Sequence, residues 1–137
     1  MKKPSFNEAL SELVQEDSRY TEQAYLFIRE ALDHAIKMHS KSLDGPGRHV
    51  SGKELLDGIR EFGLNEYGAM CHTVLRAWGV HETVDFGHLV FNLVRKNVLG
   101  KTEDDKLEDF KNGYDFDEAF SAPFRPSEKA HAQPPSE

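Results

Sequence analysis

The chain has 137 residues and a formal net charge of −7, from 17 Lys+Arg against 24 Asp+Glu. This length fits one domain, and an acidic chain repels phosphate on average, which argues against indiscriminate binding of nucleic acid. The one cysteine excludes an internal disulfide, and no apolar run approaches the ~20 residues of a membrane span. With no signal peptide visible, we expect a cytoplasmic protein with one domain over residues 1–126 and a disordered tail over 127–137.

Helical periodicity and capping signals predict a mainly α fold with about five helices. Ser5 with Glu8, and Ser51 with Glu54, have the spacing of capping boxes at helix starts. Gly63 is the expected stop of the third helix. The apolar stripes place the helices at about residues 5–14, 21–40, 51–62, 69–78 and 83–97.

Beyond residue 100 the helical periodicity fades and acidic residues dominate. Residues 101–120 contain three lysines and eight acidic residues, a net charge of −5. Residues 98–99 and 107–110 are predicted as two short strands of a small β-hairpin with a polar turn between them. After the hairpin, four aromatic residues alternate with acids and are expected to pack back on the core. They are Tyr114, Phe116, Phe120 and Phe124.

The sequence at residues 47–54 resembles a phosphate-binding loop but lacks its final Ser or Thr. Glu54 stands there instead, and its charge opposes phosphate. A loop that leads into a capped helix is the favoured interpretation. A weaker alternative keeps Arg48, Lys53 and the free N–H groups of the helix start as contacts for a carboxylate or phosphate of a partner.

No motif for enzymatic chemistry is present. The acidic segment fails the calcium-loop pattern because Phe110 falls at a ligand position. A loose divalent site from Asp104, Asp105 and Asp109 remains an alternative to a charged hairpin edge. The seven histidines show no metal spacing, and Cys71 is expected to be a small buried side chain. We therefore predict no catalytic residue, no metal and no cofactor.

The order of elements in the second half resembles a helix-turn-helix with a wing. Gly79 would join the fourth and fifth helices, and the hairpin would be the wing. The expected solvent face of the fifth helix carries Asp85, His88 and Asn92, followed by Arg95 and Lys96. Because acids occupy the helix start and the wing, the pattern favours contact with protein over nucleic acid. A plain helical bundle is the other alternative.

Several segments together carry a family resemblance. They are AYLFIREALD at residues 24–33, RHVSGKELLDGIR at 48–60, WGV at 78–80, DFG at 85–87, VFNLV at 90–94, LGKTEDD at 99–105 and YDFD at 114–117. On these segments, residues 5–126 resemble a family of small uncharacterised bacterial proteins. The resemblance implies a single bacterial domain and supplies no activity or functional residue.

The sequence thus predicts a non-enzymatic interaction or regulatory domain that binds a protein with a basic surface. A winged-helix nucleic-acid-binding regulator is the alternative. In the acidic segment, Tyr114 and Phe116 would anchor on the partner while the carboxylates steer it. The candidate contacts are Arg48, His49, Lys53, Asp85, His88, Asn92, Asp104, Asp105, Asp109, Tyr114 and Phe116.

Overall fold

The computed structural model describes residues 5–39, 50–99 and 106–125. In these residues the chain is mainly helical and contains no strand. The five α-helices are α1 (Phe6–Glu16), α2 (Glu22–Met38), α3 (Gly52–Tyr67), α4 (Cys71–Ala77) and α5 (Thr83–Arg95). Short 3-10 helices cover Gly68–Met70, Leu107–Phe110 and Ala122–Phe124, and a π-helical turn covers Asp117–Ser121.

Both predicted capping boxes are present. The Ser5 hydroxyl accepts the Glu8 N–H at 3.1 Å, and the Glu8 carboxylate accepts the Ser5 N–H at 2.9 Å. Ser51 and Glu54 repeat this exchange at the same two distances. Each box satisfies two backbone donors that the helix itself leaves unpaired, which fixes the starts of α1 and α3.

The predicted end of α3 at Gly63 is wrong, because the helix continues to Tyr67. Gly63 is buried where α3 packs on its neighbours, and a Cβ there would lie 2.8 Å from the sulfur of Cys71. This glycine therefore permits close packing instead of ending the helix. The actual stop is Gly68, whose φ of +52° suits a residue without a side chain.

Helices α2 and α3 form the central pair of the fold. They meet closely at Gly58, where a Cβ would overlap the Cβ of Ala35 and lie 2.7 Å from its Cα. Around this pair the core is continuous and is dominated by large apolar side chains. Its largest fully buried members include Tyr25, Ile28, Ile59, Leu75, Phe86, Leu89 and Phe120.

The predicted β-hairpin is not present in the residues that the structure describes. The N–H of Val98 bonds back to the carbonyl of Leu93 at 3.1 Å, and Leu107–Phe110 is a 3-10 helix. The carbonyl of Phe110 accepts the hydroxyl of Thr83 at 2.5 Å, in place of a bond to a neighbouring strand. Gly87 leaves room for this approach, because a Cβ there would lie 2.9 Å from the Phe110 ring.

The same contact holds the start of the fifth helix. Threonine is typical of a helix cap, but Thr83 lies within the first turn of α5 and is buried there. Its hydroxyl donates to the carbonyl of Phe110 and accepts the N–H of Gly113 at 2.9 Å.

None of the helices among the described residues has the length and apolarity to span a membrane. The predicted tail over residues 127–137 lies outside the described residues.

Candidate functional site

The predicted recognition face of α5 is engaged by the chain itself, starting at Asp85. This carboxylate accepts the hydroxyl of Tyr20 at 2.5 Å. It also accepts the backbone N–H groups of His81 and Glu82, at 2.9 and 3.1 Å. Asp85 therefore closes the start of α5 and ties it to the segment between α1 and α2. Burial, together with the bond to Asp85, raises the pKa of Tyr20.

Asn92 makes a second connection to the same segment. Its amide donates to Asp17 at 2.9 Å and to the hydroxyl of Tyr25 at 3.0 Å. Asp17 in turn pairs with Arg19 at 2.7 Å. The hydrogen bond from Arg19, reinforced by that from Asn92, holds the pKa of Asp17 well below its usual range despite the opposing effect of burial.

The cations that follow on α5 are neutralised by α1. Arg95 pairs with Glu16 at 2.8 Å, and Lys96 reaches Glu12 at 2.8 Å and Glu16 at 2.7 Å. The expectation that this face is open to solvent is therefore wrong at Asp85, Asn92 and Lys96, because α1 and the α1–α2 connection cover it. His88 is half-buried on the same helix.

The aromatic side chains of the acidic segment point into the fold. Phe116 is only 4% exposed, and Phe120 is fully buried. The hydroxyl of Tyr114 donates to the carbonyl of Leu56 on α3 at 2.9 Å. Packing of these rings on the core is confirmed, whereas Phe124 remains exposed. Anchoring of a partner by Tyr114 and Phe116 is not supported, since both rings serve the core.

Inward packing of these rings turns the carboxylates of the segment outward. We call the exposed acids of this segment the acidic face. Some make local contacts: Asp115 accepts the N–H of Glu118 at 3.1 Å, and Asp117 pairs with Arg125 at 2.9 Å. The acidic face comprises Glu108, Asp109, Asp115, Asp117 and Glu118.

The start of α3 adjoins the acidic face. A Cβ at Gly52 would lie 2.8 Å from the Cβ of Asp109, so Asp109 packs against the first residue of α3. Lys53 follows and is exposed. The structure thus brings Lys53 and Asp109 into one neighbourhood. Four other candidate contacts of these two regions lie outside the described residues. They are Arg48, His49, Asp104 and Asp105.

Groups with reactive side chains are sparse in the described part of the chain. Cys71 is fully buried, as predicted, and burial raises the pKa of its thiol to about 12, which leaves it un-ionised at neutral pH. His72 shares a hydrogen bond of 2.9 Å with the hydroxyl of Ser121. No group of three or more His, Cys, Asp or Glu side chains in the described ranges is placed to hold a metal ion.

A group of aromatic rings between α2, α3 and α4 was missed by the sequence analysis. The buried ring of Phe27 contacts the other three. Its centroid lies 5.5 Å from that of Phe62, 6.3 Å from that of Tyr67 and 5.6 Å from that of Trp78. Phe62 and Trp78 are half-buried and Tyr67 is 36% exposed. We call these four residues the aromatic patch. Its one sequence signal is the single tryptophan, placed directly before the Gly79 turn.

Comparison with known proteins identifies no relative of this chain. No family model, curated protein or solved structure matches the chain. The resemblance to a bacterial family therefore stays a prediction.

Proposed function

We propose that this chain is a cytoplasmic, non-enzymatic interaction domain that binds a protein with a basic surface through its acidic face. The observation that carries the proposal is the inward packing of the rings in the acidic segment. Those rings hold the segment against α3 and α5, so its carboxylates are displayed on a supported surface. A partner therefore does not have to order the segment as it binds.

The net negative charge of the chain favours a partner with a basic surface. The chain carries −7 overall, and residues 106–120, which hold the acidic face, contain five acidic residues and two lysines, a net charge of −3. An acidic surface of this kind accelerates encounter with a basic partner and disfavours acidic ones, in a way that weakens with added salt. Phosphate-rich partners are repelled by the same field.

The nucleic-acid alternative has less support. Its recognition helix would be α5, whose cations Arg95 and Lys96 are already paired with α1. A reader of DNA or RNA needs such cations free for phosphate or base edges. The helix pair α4–α5 with its tight turn is present, but its shape alone does not assign a nucleic-acid ligand.

Affinity capture tests the proposal. The tagged full chain is used to capture proteins from lysate of its own cell, with and without nuclease treatment, and bound proteins are quantified. The matched variants are Glu118→Lys on the acidic face and Glu22→Lys on α2, which each reverse one exposed carboxylate.

We expect a discrete set of basic proteins whose recovery falls at least several-fold with Glu118→Lys and is retained with Glu22→Lys. Recovery should also fall with rising salt. Equal recovery by both variants, or recovery that disappears with nuclease treatment, would contradict the proposal. The second outcome would favour the nucleic-acid alternative.

A further inference from the structure

The aromatic patch lies apart in sequence from the acidic face and combines two features of a cation site. The first is its ring geometry. Tyr67 and Trp78 have centroids 5.7 Å apart, with ring planes at 83°, so they form a corner above the buried ring of Phe27. A cation within about 6 Å of a ring centroid is attracted by the ring's quadrupole, and both of these rings are at least partly exposed to such a ligand.

The second feature is the charge around the rings. Glu66 precedes Tyr67 on α3, and Glu30 lies one turn beyond Phe27 on α2; both are exposed. Burial raises the pKa of the Tyr67 hydroxyl, and the charges of Glu66 and Glu30 raise it further. Two exposed carboxylates thus lie next to or one turn from rings of the patch along α3 and α2, and negative charge there favours a positive ligand.

A further carboxylate lies beside Phe62. His34 packs on Phe62 with centroids 5.7 Å apart, and Glu61 holds the His34 ring through a hydrogen bond of 2.5 Å. Glu61 adds a third exposed carboxylate beside the patch. A cationic ligand complements the charges of Glu30 and Glu66, whereas an uncharged ligand gains nothing from them.

We infer that the aromatic patch binds a cationic side chain, arginine in preference to lysine, presented by a basic segment of a partner protein. The apolar stem of such a side chain would pack on Phe62 while its head lies in the corner of Tyr67 and Trp78. Arginine is preferred because its planar guanidinium stacks on aromatic faces and is more weakly hydrated than an ammonium. The inference rests on the proposed function for its partner class, a basic protein, but it assigns a different surface.

The single tryptophan makes the site directly measurable. The probe is a synthetic peptide of Gly and Ser that carries four arginines and no aromatic residue, titrated into the full chain while Trp78 fluorescence is recorded. A peptide with glutamine at the four positions is the neutral control. We expect a saturable fluorescence change with the arginine peptide, a weaker one with a lysine version, and none with the glutamine peptide.

Two pairs of variants separate the patch from general electrostatics. Tyr67→Leu removes a ring of the patch, and Phe124→Leu removes an exposed ring elsewhere. Loss of one cation–π contact should weaken binding by about fivefold in the first and leave it unchanged in the second. Glu30→Gln with Glu66→Gln should weaken binding more than Glu108→Gln with Glu118→Gln, although the change in net charge is the same.

A fluorescence response to the glutamine peptide, the absence of a saturable response to arginine, or equal weakening by the two double variants would overturn the inference. These failures are distinguishable from failure of the proposed function. Loss of captured partners with Glu118→Lys but not with Tyr67→Leu would keep the acidic face as the docking surface and remove the patch. Loss with Tyr67→Leu but not with Glu118→Lys would keep the patch and remove the acidic face.

Discussion

The Cα of Gly79 lies so close to the backbone of Arg19 that a Cβ at this position would overlap the Arg19 carbonyl oxygen. Gly79 also has a φ of +92°, which side-chain-bearing residues rarely adopt. Next to it, the carbonyl of Trp78 accepts the N–H of Thr21 at 3.3 Å. The turn between α4 and α5 is therefore joined to the α1–α2 connection by backbone contact, and only glycine permits the approach.

Replacement of Gly79 by alanine should destabilise the chain by about 2–4 kcal/mol, because backbone strain adds to a clash that no side chain can relieve. Gly68→Ala is the matched control. It has a positive φ of +52° but no atom within 4 Å of an added Cβ, so it should cost about 1 kcal/mol. Urea denaturation of both variants checks the difference. Equal losses would show that the turn accommodates a methyl group and that the contact with Arg19 is not a constraint.

The parts of the fold that were predicted correctly depend on residues close in sequence. A capping box joins positions three apart, so Ser5 with Glu8 and Ser51 with Glu54 could be identified without any knowledge of packing. Alternation of aromatic and acidic residues likewise predicted that Phe116 and Phe120 pack inward.

The errors came from contacts between distant residues. Glycine is typical of a helix end, but Gly63 lies inside α3, where it allows close packing against Cys71. The helix ends at Gly68 instead. The amide of Asn92 bonds to Asp17, 75 residues away, so its place on a supposed solvent face could not be corrected from local pattern. The aromatic patch was missed for the same reason, because its rings come from α2, α3 and the residue after α4 and share no periodicity.

The stability of the chain should depend on pH through Asp17. Its folded pKa is lowered by hydrogen bonds from Arg19 and Asn92, so the charged form stabilises the fold above the unfolded pKa of about 4 and this contribution is lost as the pH falls below it. Asp17→Asn should reduce the free energy of unfolding by about 1 kcal/mol at neutral pH. The gap between the curves of the variant and the original chain should narrow as the pH falls below about 4, where the unfolded chain begins to bind the proton.

Urea denaturation from neutral pH to about pH 3 measures this narrowing. Glu108→Gln, which neutralises an exposed carboxylate of the acidic face, is the control and should change the curve less. A constant difference between Asp17→Asn and the original chain at all pH values would mean that the substitution acts through packing and not through the charge of Asp17.

Tyr114 should govern part of the behaviour at alkaline pH. Its hydroxyl donates to the carbonyl of Leu56, and burial raises its pKa above the unfolded value of about 10. The un-ionised hydroxyl therefore stabilises the fold below about pH 10, and this contribution is lost as the pH rises further, because the unfolded chain then releases the proton more easily.

Tyr114→Phe should lower the free energy of unfolding by about 1 kcal/mol at neutral pH and reduce the loss of stability above about pH 10. Tyr67→Phe, which removes the hydroxyl of a partly exposed ring, should leave stability at neutral pH nearly unchanged. If Tyr114→Phe behaves like Tyr67→Phe, the hydroxyl of Tyr114 does not fasten the acidic segment to α3, and the support of the acidic face would have to come from Phe110, Phe116 and Phe120 alone.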